Sequence, residues 1–99
     1  MKENMLIETP YKANDTITMK TTGGEEIVAR FVEENDKTIT VNKPLAVMAS
    51  NQGLGLGPYA FTVKMDSNLK INKNTLVFVQ KTEAEMAKQY VSSTTGIQL

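Results

Sequence analysis

The sequence predicts a mainly β domain: five short strands in antiparallel order, forming a bent sheet or small barrel, with one short helix near the C-terminal end. Three observations carry this. Polar and apolar residues alternate with a period of two in several short segments, as in half-buried strands. Clusters of Gly, Asn, Asp and Thr separate those segments at regular spacing, the pattern of small all-β folds. A helix-start signature follows the last strand segment.

The first strand is "DTITMK" (15–20), with Ile17 and Met19 facing a core and Thr16, Thr18 and Lys20 facing out. "TTGGEE" supplies a turn, because Gly23 and Gly24 are free to take positive φ. The second strand is "EIVARFVE" (26–33), ended by the polar turn Glu34–Lys37. "TITVNK" (38–43) is the third, with Ile39 and Val41 on one face. Pro44 interrupts or bends it, and "LAVMAS" (45–50) continues extended.

"YAFTVKM" (59–65) alternates again and reads as the fourth strand, with Tyr59 and Phe61 expected in the core rather than as an exposed stacking pair. "DSN" (66–68) and "NKN" (72–74) are turn-rich, and the "LKI" between them is too short to assign. "TLVFVQ" (75–80) is the fifth strand, apolar enough to be covered on both faces. Thr82 to Glu85 forms a capping box that opens a helix to about Val91. Ala84, Ala87 and Val91 share one stripe of that helix, with Met86 and Tyr90 beside it. Residues 92–99 form a polar tail with an apolar end.

The 99 residues make a single domain, with the sheet over about 14–81 and the helix over about 83–91. There is no cysteine and no histidine. Thiol nucleophiles, thiolate metal sites and the commonest general base are therefore excluded, and the chain is read as a non-enzyme with no cofactor. The serines and threonines have no histidine to activate them. Glu25, Glu26, Glu33, Glu34 and Asp36 are read as a solvated face rather than a metal site. The N-terminal "MKENMLIETP" has too short an apolar run for a signal peptide, and no window reaches membrane-span length. A cytoplasmic location, with no membrane partner, is expected.

Net charge is zero, but residues 1–36 hold four basic against eight acidic side chains. Residues 37–82 hold six lysines against Asp66 alone. Such asymmetry suits an anionic partner, although lysines spread this widely also serve as solvated strand edges.

The block Ile17 to Val41 resembles the first motif of the Sm-like (LSm) family. Ile17 and Met19, Gly24, Ala29 (usually glycine), Phe31 and Val32, Asp36, then Ile39 and Val41 occupy its positions. "INKNTLVFVQ" (71–80) stands where the second motif belongs, with Asn72-Lys73 in place of Arg-Gly. The whole chain also resembles small Sm-like proteins of marine phages, whose location would be the host cytoplasm. The resemblance implies a strongly bent five-stranded sheet, an SH3-like small barrel, assembled into a homo-oligomeric ring.

It also implies that the two inter-strand turns bind single-stranded nucleic acid, with RNA expected, in RNA or DNA processing. Carried over, those turns are Asn35, Asp36, Lys37 and Thr38, with Thr40 at the family's base-binding asparagine, and Asn72, Lys73 and Asn74. Amides and hydroxyls can bond base edges, and lysines can pair phosphates. The family's stacking aromatic is replaced by Lys37 or Thr38, so binding is expected to be weak, salt-sensitive and poorly sequence-specific. The alternative is a structural or assembly adaptor that binds protein partners through the ring.

"NQGLGLGPYAF" (51–61) is no phosphate cradle. Its glycines are spaced by two, Pro58 follows, and no helix comes after. The expectation is a loop or hairpin tip joining the third and fourth strands. In an extended chain Leu54 and Leu56 share one face, and the glycines leave the other bare. Leu54, Leu56, Leu76 and Phe78 are the candidate subunit or partner contacts.

Overall fold

The computed structural model describes residues 11–96. The N-terminal residues 1–10, read against a signal peptide, and residues 97–99 of the tail lie outside the described residues. The elements are β1 (Thr16–Thr21), β2 (Glu26–Glu34), β3 (Thr38–Ser50), β4 (Gly53–Pro58), β5 (Asn68–Asn72), a 3-10 turn (Lys73–Thr75), β6 (Leu76–Lys81) and α1 (Ala84–Gly96).

The strands form one six-stranded antiparallel sheet in the order β4-β3-β2-β1-β6, with β5 also paired to β3. β4 pairs with Leu45–Ser50 of β3 and β5 with Thr38–Asn42. The two short strands therefore lie end to end along one side of β3. The sheet has six strands but is five lanes wide.

Chain geometry requires this sheet to bend. From Asn72 to Leu76 an extended chain advances at most roughly 14 Å. Four lane spacings of about 4.8 Å would separate β5 from β6 by roughly 19 Å in a flat sheet. Leu69 and Ile71 of β5, and Leu76 and Val79 of β6, pack against one cluster formed by Tyr11, Ile17, Met19, Ile27, Ala29, Phe31, Ile39 and Val41. Side chains from both edges meet there, so this is the concave face. The hydrogen-bonded path stays open among the described residues, because β6 pairs with β1 and with neither β4 nor β5.

Bulges supply part of the bend. Val28 pairs with Leu45 and Arg30 with Asn42, so Lys43 and Pro44 together oppose Ala29. Pro44 therefore bends β3 without ending it, and the missing N–H falls where no ladder bond is needed. Lys43 takes a φ of 53° there, a conformation that needs outside support. Tyr90 of α1 provides it, its hydroxyl donating to the Lys43 carbonyl at 2.6 Å.

A second cluster, Val28, Leu45 and Tyr90 with Val47, Leu56, Met65 and Met86, lies on the opposite face of the sheet under α1. Fully burying an Ile or Met is worth about 1.5–3 kcal/mol. Ile17, Met19, Ile27 and Ile39 are fully buried in the concave cluster, which is consequently the larger source of stability.

The structure corrects several expectations. Residues 59–65 form no strand, because the lane beside β3 is already filled by β4 and β5. Tyr59 and Phe61 are exposed, Phe61 to 85 %, instead of lying in the core. The "LKI" segment is strand β5, and the glycine-rich stretch is strand β4, with the hairpin tip at Asn51-Gln52. β6 is an edge strand, not covered on both faces: Val77 and Phe78 are exposed.

The helix runs to Gly96, beyond Val91, so most of the presumed tail is helical. Its packed stripe is Met86, Ala87, Tyr90 and Thr94, while Ala84 and Val91 face solvent. The cap is Glu83, whose carboxylate accepts from the backbone N–H groups of Glu85 and Met86 at 3.1 and 2.8 Å. Thr82 instead shares a hydroxyl–hydroxyl bond with Thr18 of β1 at 2.8 Å. No helix among the described residues is long and apolar enough to cross a membrane.

Candidate functional site

The turn between β2 and β3 is built on Asn35. Its side-chain oxygen accepts from the backbone N–H groups of Lys37 and Thr38 at 2.8 and 2.9 Å. This is an Asx turn, in which a short amide replaces a backbone acceptor. The Asn35 N–H donates to the Thr38 carbonyl at 2.9 Å and closes the hairpin. Asp36 and Lys37 are left at the tip, pointing away from the sheet's own bonds.

The second turn uses the same device. The Asn72 side-chain oxygen caps the 3-10 turn by accepting from the Asn74 N–H at 3.2 Å. The Thr75 hydroxyl donates to the Asn72 carbonyl at 2.7 Å. The curvature of the sheet brings this turn against the first one. The Lys73 N–H donates to the Lys37 carbonyl at 2.8 Å, so the two turns are joined through their backbones.

Asp36, Lys37, Asn72, Lys73 and Asn74 line one cleft of about 540 Å³, open to solvent on one side. Asn35, Asp36, Lys37, Thr38 and Lys70 line an adjoining recess of about 530 Å³. Both are broad, shallow depressions open to solvent and not enclosed pockets. Asp36 and Lys37 form the ridge between them.

The site's cations differ in availability. Lys73 Nζ lies 2.7 Å from Glu34 Oε1. Lys37 and Lys70 have no carboxylate partner among the described residues. Glu34 also acts on Tyr11: burial first, and then the Glu34 charge, push the Tyr11 hydroxyl above the ordinary phenol range. Among the described residues no group of three acidic side chains is placed to hold a metal ion.

Seven of the eight predicted turn residues thus line the two recesses. Thr40 does not: it lies in β3 opposite Lys70 and is 5 % exposed. Lys70 was not anticipated, yet its signal is present in "NLKIN", where Asn68, Lys70 and Asn72 are exposed and Leu69 and Ile71 turn inward. Glu34, by contrast, carries no sequence signal beyond that of a solvated polar turn.

The candidate contact residues separate. Leu54 is 58 % exposed on β4 and Phe78 42 % exposed on β6, at opposite edges of the sheet. Leu56 packs under α1, and Leu76 packs against the concave core. The chain matches no family model and no curated protein sequence.

Proposed function

We propose that this chain binds single-stranded nucleic acid, with RNA the expected substrate, across the joined turns Asn35–Thr38 and Asn72–Asn74. The observation that carries the reading is the convergence of two turns, distant in sequence, on one cleft edged by Lys37 and Lys73, with Lys70 in the adjoining recess. Lysines pair phosphates, and the asparagine amides present donors and acceptors suited to base edges. The Sm-like motifs support the same assignment and a place in RNA or DNA processing in the cytoplasm. The activity is binding, with no reaction step.

In this reading the chain works as a homo-oligomeric ring. Two open sheet edges with exposed Leu54 on one and Val77 and Phe78 on the other suit head-to-tail pairing, which closes when the rotation permits. Repeating the cleft around a ring multiplies a weak contact through effective concentration.

The test is fluorescence anisotropy with labelled single-stranded RNA and DNA at low and moderate salt. Salt-sensitive binding that weakens in Lys37→Ala is expected, and no binding at low salt would dispose of the proposal. A second reading, an assembly adaptor for protein partners, is favoured by the Glu34–Lys73 pair, which neutralises one site lysine, and by the zero net charge. It predicts association through the apolar edges with no oligonucleotide affinity.

A further inference from the structure

Beyond the cleft, the most exposed large apolar side chain among the described residues is Phe61, 85 % exposed in the segment 59–67 that joins β4 to β5. Tyr59, two residues earlier, is 38 % exposed. Tyr59 is mostly covered, whereas the Phe61 ring stands in solvent and contributes little to folding, which leaves its face free for a ligand.

The surroundings indicate which ligand. The loop does not project freely. Ala60, between the two rings, gathers with Val63, Lys64 and Met65 around Leu69 of β5 and Pro44 of β3. The Ser67 N–H donates to the Lys64 carbonyl at 3.1 Å, and the Asp66 carbonyl accepts from the Asn42 side chain at 2.8 Å. The loop is thereby pinned to the start of β5.

From that point Asn68, Lys70 and Asn72 are the exposed positions of β5 and lead to the cleft, a run of roughly 13–17 Å at the strand rise. The aromatic loop and the cleft are the two ends of one polar, lysine-bearing row. Val63 of the same loop is 43 % exposed, but the surface that leads from the loop along β5 is polar.

We infer that Phe61 is a base-stacking platform that, with Lys64 and Lys70, extends the cleft into a track for several nucleotides of a single strand. The inference rests on the nucleic-acid reading above. It supplies the stacking surface that the Asn35–Thr38 turn lacks. Every base has a π face, so such a platform adds affinity with little sequence preference, while the lysines follow the phosphates.

The chain has no tryptophan, so Phe61→Trp places a single fluorescent reporter at the platform. An oligouridylate is expected to quench that reporter, and an abasic ribose-phosphate oligomer of equal length is not. Phe61→Ala should weaken oligouridylate binding by roughly 5- to 150-fold, the range for loss of one stacked base, and leave abasic-oligomer binding unchanged. At 85 % exposure the substitution removes no core contact, and an unchanged unfolding curve checks this.

If Phe61→Ala binds as tightly as the parent chain while Lys37→Ala does not, the platform is overturned and the cleft survives. If the parent chain binds no oligonucleotide, the nucleic-acid reading itself fails, and the platform with it. If Phe61→Ala alters self-association with oligonucleotide affinity intact, the loop is a protein contact and the inference is overturned.

Discussion

Lys73 Nζ sits 2.7 Å from Glu34 Oε1, so the lysine on the 3-10 turn is held by a carboxylate from the end of β2. The pair is part-exposed, and pairs of this kind contribute only about 0–1 kcal/mol. Its larger effect is on ligand binding, because it removes a positive charge from the cleft. Glu34→Gln is therefore expected to strengthen oligonucleotide binding with little change in stability. The slope of log affinity against log salt should steepen by up to about 0.7, the value for one further phosphate contact on a single strand. Anisotropy titrations at several salt concentrations measure it, and weaker binding would contradict the role given to Lys73.

Lys37 stands on the ridge between the two recesses without a described carboxylate partner. Lys37→Ala is expected to weaken binding to all single-stranded sequences alike and to make the salt slope shallower by about 0.7. A loss confined to one sequence would mean that Lys37 reads bases and not phosphates.

Tyr90 ties α1 to the strained bend in β3 through its bond to the Lys43 carbonyl, with the Asn42 carbonyl at 3.3 Å. Tyr90→Phe keeps the ring and strands these acceptors, at a cost of about 1–3 kcal/mol in chemical denaturation. Burial pushes the Tyr90 hydroxyl up to about 12 from 10.0, against the opposing pull of Arg30. Below pH 10 both folded and unfolded chains keep this proton, and the contribution is complete. Between pH 10 and 12 the unfolded chain releases it first, so stability falls as pH rises. The parent chain should lose stability faster over that window than Tyr90→Phe, and equal slopes would refute the assignment.

The glycines of β4 are not equivalent. Gly53 has a φ of 109°, whereas Gly55 has open space around it and no positive φ. Gly53→Ala should destabilise by about 1 kcal/mol or more, which lowers the melting temperature by roughly 4–8 °C per kcal/mol. Gly55→Ala should be neutral or slightly stabilising, since alanine restricts only the unfolded chain. A Cβ at Gly57 would meet the end of the Met48 side chain, a flexible group 52 % exposed and able to move aside.

Val77 is 64 % exposed on the open edge of β6. Val77→Lys should leave the unfolding of an isolated chain within about 0.5 kcal/mol. If that edge pairs with a neighbouring copy, the same substitution converts the assembly to monomer, as light scattering would record. An unchanged mass would remove β6 from the interface.

Much of the sheet was legible in the sequence. Ile17 and Met19, and Ile39 and Val41, alternate because each strand presents one face to the same core, and a period of two is a local property. The turns at Asn35 and Asn72 were legible for a similar reason, since an asparagine side chain satisfies the backbone within a few residues. Nothing local revealed that both turns would line one cleft, or that Glu34 would hold Lys73.

By itself, the sequence determined the first three strands, the last strand and the turns at Asn35 and Asn72, and it excluded cysteine and histidine chemistry. Tertiary structure decided which segments found a partner. The "YAFTVKM" segment alternates as a strand should, yet the glycine-rich stretch and "NLKIN" took the side of β3 that it would have needed. Strand pairing is a competition for a limited number of backbone donors and acceptors on one edge, and its outcome depends on residues far apart in the chain. The same competition leaves Phe61 in solvent, and the curvature it imposes brings Lys37 and Lys73 together.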